Sequence, residues 1–148
     1  MPQLKYTANA FPNKEQEQYL AQVLGCTRKV WNIFLDKEIT TYKQTGKFNF
    51  YNKNCVDLTQ LKKTEEYSYL NNVPAVALQQ SLKRLDIALK KYLKERKLNP
   101  LVGFPKFKSK NKSQQESFTL VMVNAKQNIK NNKFHITRNI GIKIKLHR

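Results

Sequence analysis

Five side chains within eight residues have the chemistry to hold a polyanion. In "GFPKFKSK", Gly103 to Lys110, Phe104 and Phe107 alternate with Lys106, Lys108 and Lys110. Ammonium groups neutralise phosphates and release their counterions. Aromatic faces stack on unpaired bases, at about 1–3 kcal/mol per base. The same two phenylalanines serve equally as buried anchors for the loop. A further set of polar side chains, Gln79, Lys83, Lys90, Lys94 and Lys97, recurs at helical spacing just upstream. A lysine face of this kind is by default a solvated one, so its partner has to be argued from the whole charge pattern.

That pattern is one-sided. Lys90, Lys91, Lys94, Arg96, Lys97, Lys106, Lys108, Lys110 and Lys112 face Glu95 alone, and no acid follows Glu116. Over the 148 residues, 28 Lys and Arg stand against 10 Asp and Glu, a net charge of +18. Such an excess repels itself in a compact state and favours a polyanionic partner. Nucleic acid fits better than membrane, because the apolar runs fall far short of the roughly 20 residues that a spanning helix needs. The start, "MPQLKYTANAFPNKEQEQ", has neither the cationic opening nor the apolar block of a signal peptide. A cytoplasmic, nucleoid-associated setting is expected.

Chemistry of bond cleavage finds no foothold. Acid–base or two-metal catalysis needs carboxylates converging on one site, and the ten acids are scattered. No GxxxxGK[ST], GxSxG or HExxH is present. His135 and His147 stand apart from any cysteine, and Cys26 and Cys55 form no CxxC pair. No metal, cofactor or disulfide is expected, and no catalytic residue is assigned.

The elements that would position these side chains are readable in outline. "LKYTANAF" alternates as a half-buried strand, closed by Pro12. Asn13 with Gln16 three residues on reads as a capping box. Tyr19, Leu20, Val23 and Leu24 make an apolar face that Gly25 should end, and a second helix from Thr27 should turn Val30, Trp31, Phe34, Leu35 and Tyr42 inward as far as Gly46. The first two helices would thus form a hairpin. A shorter helix is expected over 52–63, with Val56, Leu58 and Leu61 inward. The longest should follow Pro74, where Leu78, Leu82, Leu85, Leu89 and Leu93 step as a core stripe. From Ser117 the sequence turns β-branched: "SFTLVMV", "KFHITR" and "IGIKIKLHR" read as strands, with Ile142, Ile144 and Leu146 against Lys143, Lys145 and His147. The expected fold is α+β, with about four helices between an N-terminal strand and C-terminal strands that pair in one small sheet.

Four stretches carry a resemblance. "FPNKEQEQYLAQVLGCTRKVWNIFLDKEITTYKQTGK", "VPAVALQQSLKRLDIALKKYL", "VGFPKFKSKNKSQQESFT" and the closing "IKIKLHR" together resemble the front part of the TnpB (OrfB) proteins of bacterial insertion sequences. The resemblance implies an RNA-guided DNA nuclease whose front part is a β-rich wedge domain interrupted by a helical recognition domain. Residues 1–12 would be the first wedge strand, 13–102 the recognition domain, and 103–148 the basic loop and incomplete C-terminal wedge strands. Guide RNA and transposon-adjacent DNA are the partners it implies. The family's RuvC-like domain and zinc ribbon are not among these residues, so the expectation is a truncated, non-catalytic product or one completed by a separate nuclease polypeptide.

The resemblance also implies site residues. Tyr51 and Gln79 match positions that meet the adjacent-motif DNA, and Asn124 matches more weakly; Ala75 stands where relatives carry a lysine. The full candidate set is Tyr51, Gln79, Lys83, Lys90, Lys94, Lys106, Lys108, Lys110 and Asn124. Two other functions remain open at this stage: the recognition piece of a split endonuclease, and a structural protein that binds ribosomal RNA.

Overall fold

The computed structural model describes residues 7–110, 117–121, 129–137 and 140–146. The capping box forms as read. Asn13 Oδ1 accepts the Gln16 backbone N–H at 2.9 Å, and Gln16 Oε1 accepts the Asn13 N–H at 3.0 Å. Two amides with no partner of their own in the first turn are thereby satisfied. Helix α1 (Lys14–Thr45) starts here, preceded by strand β1 (Ala8–Phe11).

The expected hairpin is not there. Helix α1 runs 32 residues without a break through Gly25. A mid-helix glycine costs only about 1 kcal/mol relative to alanine. Around it Val23, Cys26, Thr27 and Val30 are all buried, and that burial outweighs the cost. Gly46, in contrast, does stop the helix: its φ is +74°, and its N–H donates to the Tyr42 carbonyl at 2.8 Å. Because two expected helices are one, α1 is the longest helix and the one after Pro74 is not.

Helix α2 (Phe50–Leu61) buries Leu58 and half-buries Leu61 but leaves Val56 57% exposed, against expectation. A short 3-10 turn (Ser68–Asn72) brings Leu70 into the core. Helix α3 (Ala75–Leu98) then presents Leu78, Leu82, Leu85 and Leu89, all fully buried, with Leu93 half-buried at the end of the stripe. They share a core with Val30, Phe34 and Leu35 of α1. Tyr42, Phe48, Tyr92 and Phe104 close one end of it as an aromatic cluster, with Tyr42 stacked on Phe48 at 4.5 Å and Tyr92 on Phe104 at 4.7 Å.

Three strands complete the α+β fold: β2 (Ile129–Lys130), β3 (Lys133–Thr137) and β4 (Ile140–Leu146). The sheet order is β1-β4-β3-β2, antiparallel throughout, so the first strand pairs with the last as the sequence implied. Asn131 and Asn132, at φ of 51° and 60°, make the two-residue turn between β2 and β3; asparagine tolerates this left-handed region well. Gly141 lies opposite His135, where a Cβ would come within 2.6 Å of the imidazole. Ile142 is buried while Lys143 and Lys145 are exposed, as the alternation required. "SFTLV" is not a strand; Arg84 of α3 donates to the Ser117 carbonyl and the Thr119 hydroxyl there, and Met122 and Val123 lie outside the described residues.

The chain divides into two units. One comprises residues 1–21 and 121–148 and contains the sheet; the other, 22–120, contains the helical core. Within the first, Gln16 Nε2 donates to the Gly141 carbonyl at 2.7 Å and so ties the helix cap to β4.

Candidate nucleic-acid interface

The polar side chains of α3 sort by helix geometry. At 3.6 residues per turn, Gln79, Lys83, Lys90 and Lys94 project roughly 90–150° to one side of the buried leucine stripe, and Arg84 roughly 130° to the other. All four of the first set are exposed. The two flanks have different neighbours.

On the first flank the neighbour is the start of α2. The Tyr51 backbone N–H donates to Asp86 Oδ1 at 3.3 Å, and Lys90 Nζ reaches Asp86 Oδ2 at 2.9 Å. Lys83 Nζ lies 5.8 Å from the centroid of the Tyr51 ring, and Lys90 Nζ 5.6 Å from that of Phe50. Asp86 therefore ties the α2 backbone to α3 through one oxygen and holds Lys90 of its own helix with the other. A side-chain hydrogen bond with Cys55, one turn along α2, pushes the Tyr51 phenol above its usual range, with burial and then the charge of the Cys55 thiolate adding to the shift. Tyr51, Lys83 and Lys90 come together as a result. Gln79 stands one turn before Lys83 on the same face, and its side-chain amide makes no hydrogen bond among the described residues. Lys94 continues the stripe.

What holds the start of α2 is a residue that sequence reasoning passed over. Its flanking residue Asn49 makes no side-chain cap. Instead the fully buried carboxylate of Glu38 accepts the Asn49 N–H at 2.9 Å and the Phe50 N–H at 3.2 Å. An anion at a helix N-terminus meets unpaired amides and the positive end of the dipole. The strained Phe50, at φ of 62°, is held within this arrangement.

The basic loop lies on the other flank and is fastened to α1. Phe104 is anchored in the aromatic cluster while Phe107 is 55% exposed, so the two phenylalanines divide the roles left open for them. Trp31 Nε1 donates to the Lys106 carbonyl at 3.0 Å. Asn32 grips Lys108 twice: Oδ1 accepts its N–H and Nδ2 donates to its carbonyl, both at 2.8 Å. Lys108 Nζ rests over the Trp31 ring, 4.0 Å from the centroid. Burial of that ammonium pushes its pKa down, and the nearby Arg84 charge pushes it the same way. Lys106, Lys108 and Lys110 are all exposed as residues, the Lys108 ammonium being the part that Trp31 covers. Asn124 lies outside the described residues.

Trp31 was expected only as core, and it is 7% exposed, but its ring edge and face also organise the loop. Nothing local in the sequence marks Asn32. Arg84 was within reach, since a helical projection places it beside Lys83 but across the exposed arc of α3. Among the described residues no three His, Cys, Asp or Glu gather as metal ligands, and no helix is long and apolar enough to cross a membrane.

Sequence comparison finds one matching family model and related curated proteins. Residues 1–47 match a helix-turn-helix domain of the OrfB type; in this chain they include β1 and the whole of α1. Over 103 residues the chain is 32% identical to a "Putative RNA-guided DNA endonuclease" of Streptomyces pristinaespiralis, covering 70% of this chain and 24% of that protein. It is 30% identical over 99 residues to "Putative RNA-guided DNA endonuclease InsQ" of Escherichia coli, covering 67% of this chain and 23% of that one. The match to the OrfB-type helix-turn-helix model thus falls on one strand and one unbroken helix, and the chain spans about a quarter of the length of each curated relative it matches.

Proposed function

We propose that this chain binds nucleic acid as the recognition part of an RNA-guided DNA nuclease system. The observation that carries the reading is the α2–α3 face. There an exposed glutamine whose amide makes no hydrogen bond among the described residues, Gln79, lines up with Lys83, Lys90 and Lys94 beside the Tyr51 ring. A planar amide offers one donor and one acceptor, the pair that adenine presents in the major groove. Cations flanking it attract the sugar–phosphate backbone whatever the sequence. Lys106, Lys108 and Lys110 then hold backbone on the opposite flank. In this reading residues 1–12 and 103–148 act as a wedge, residues 13–102 as the recognition domain, and Asn124 as a further DNA contact. Guide RNA from a transposon end and transposon-adjacent DNA are the partners, met at the nucleoid.

These residues position rather than cut. The acids that the fold uses are committed elsewhere: Asp57 pairs with Lys53 at 3.2 Å, Asp86 with Lys90, and Glu95 with Lys91 at 3.8 Å, while Glu38 caps α2. Cleavage would come from a nuclease domain made of other residues, whether in the same polypeptide or a second one. Sequencing RNA that co-purifies with the chain tests the reading. Enrichment of transcripts from an insertion-sequence end is expected, and enrichment of ribosomal RNA alone would overturn it in favour of a structural RNA-binding role.

A further inference from the structure

We propose that the cleft between α1, α3 and residues 117–119 is a pocket for a single phosphate group, gripped by Arg84 and Lys108. The cleft has a volume of about 130 Å³, with Leu24 and Ala77 among the residues that form it. That is room for several water molecules, and so for a tetrahedral anion. Arg84, Lys108 and Arg28 all line it, together with the hydroxyl-bearing Ser117 and Thr119, and none of its described lining residues is a carboxylate.

Arg84 is pre-set for the task. Its Nη1 donates to the Ser117 carbonyl at 2.9 Å and its Nη2 to Thr119 Oγ1 at 2.7 Å. Those bonds fix the plane of the guanidinium and leave the remaining donors of its five for a ligand. Asn32 fixes the Lys108 backbone, and the ammonium lies over the Trp31 ring. Two like charges share this edge, and burial and mutual repulsion both depress the Lys108 pKa. A bound anion reverses both penalties. The chemistry matches a phosphate held bidentately by Arg and as a point charge by Lys.

The natural ligand, a phosphodiester of the nucleic-acid backbone, rests on the reading above; the pocket itself does not. Trp31 is the sole tryptophan of the chain, so its emission reports on the Lys108 ammonium. The experiment titrates the full chain with inorganic phosphate, with a dinucleotide phosphodiester, and with chloride at matched ionic strength. Saturable change with the first two and none with chloride is expected. Arg84→Gln should weaken that response about tenfold or more, while Lys63→Gln, an exposed lysine just beyond α2 and away from the cleft, leaves it unchanged, with helix content checked by circular dichroism. Lys108→Gln alters the surroundings of Trp31 directly, so its loss of affinity is read by calorimetry. An unsaturable wild-type response, or equal affinity in folded Arg84→Gln, overturns the pocket. Nucleic-acid binding with no Trp31 response also overturns it and spares the α2–α3 reading. A Trp31 response to phosphate in a chain that binds no nucleic acid keeps the pocket and removes its proposed ligand.

Discussion

The α2–α3 face and the basic loop carry the same kind of charge but hold it by different means. On α3 the register comes from the helix itself, so the spacing of Gln79, Lys83 and Lys90 is set by backbone hydrogen bonds. In the loop no such ladder exists; Trp31, Asn32 and Phe104 replace it with long-range side-chain contacts. The difference bears on function. A rigid register can place one side chain at one base edge. A loop held at three points can present cations without selecting sequence. Backbone contacts need only the second property.

The largest expected effect removes what both regions share. Leu82→Ala or Leu85→Ala should destabilise the helical unit by about 2–5 kcal/mol, since both side chains are fully buried. Chemical denaturation checks this, and unchanged midpoints would place the stripe outside the core. Next comes a change confined to one region. Glu38→Ala frees two backbone N–H groups at the start of α2 and should cost about 1.5–3 kcal/mol. Hydrogen exchange should then rise at Asn49 and Phe50 while the Trp31 indole N–H stays protected. Equal exchange gains at both would show that the two regions are one cooperative unit.

Two binding experiments address the comparison itself. Replacing Lys106, Lys108 and Lys110 together with alanine should weaken binding evenly across sequences. Each lost phosphate contact on duplex DNA should make the salt slope shallower by about 0.9. Gln79→Ala should instead lower discrimination between sequences by about 1–3 kcal/mol and leave the slope nearly intact. That assay includes guide RNA and a nuclease-domain polypeptide supplied in trans. Matching behaviour of the two variants would end the proposed division of labour.

The smallest effect tests the common scaffold. Gly25→Ala should stabilise the protein by about 0.5–1 kcal/mol if α1 is continuous there. A Cβ at Gly25 meets only Arg28 Nη2, at an ordinary 3.7 Å. Destabilisation in a melting experiment would mean a left-handed glycine and a broken helix.

What the sequence determined by itself was local or periodic. Asn13 and Gln16 cap each other because they are three residues apart, and that needs no help from elsewhere. Gly46 ends α1 by the same local logic, and the leucine steps of α3 define a buried face before any partner is known. Ile142 against Lys143 does the same for β4. The candidate cations of α3 were legible for that reason. Tertiary structure decided whatever depended on a competition between local preference and distant packing. Gly25 reads as a stop until Val23, Cys26 and Val30 are buried around it, and burial wins because one glycine costs so little. Val56 has the right spacing but no surface to meet. Glu38 looks like one more solvated acid until the chain turns back and presents two amides to its carboxylate. The grip of Trp31 and Asn32 on the basic loop spans more than seventy residues. Such a contact has no period and leaves no mark on its neighbours in the chain, so only the folded protein reveals it.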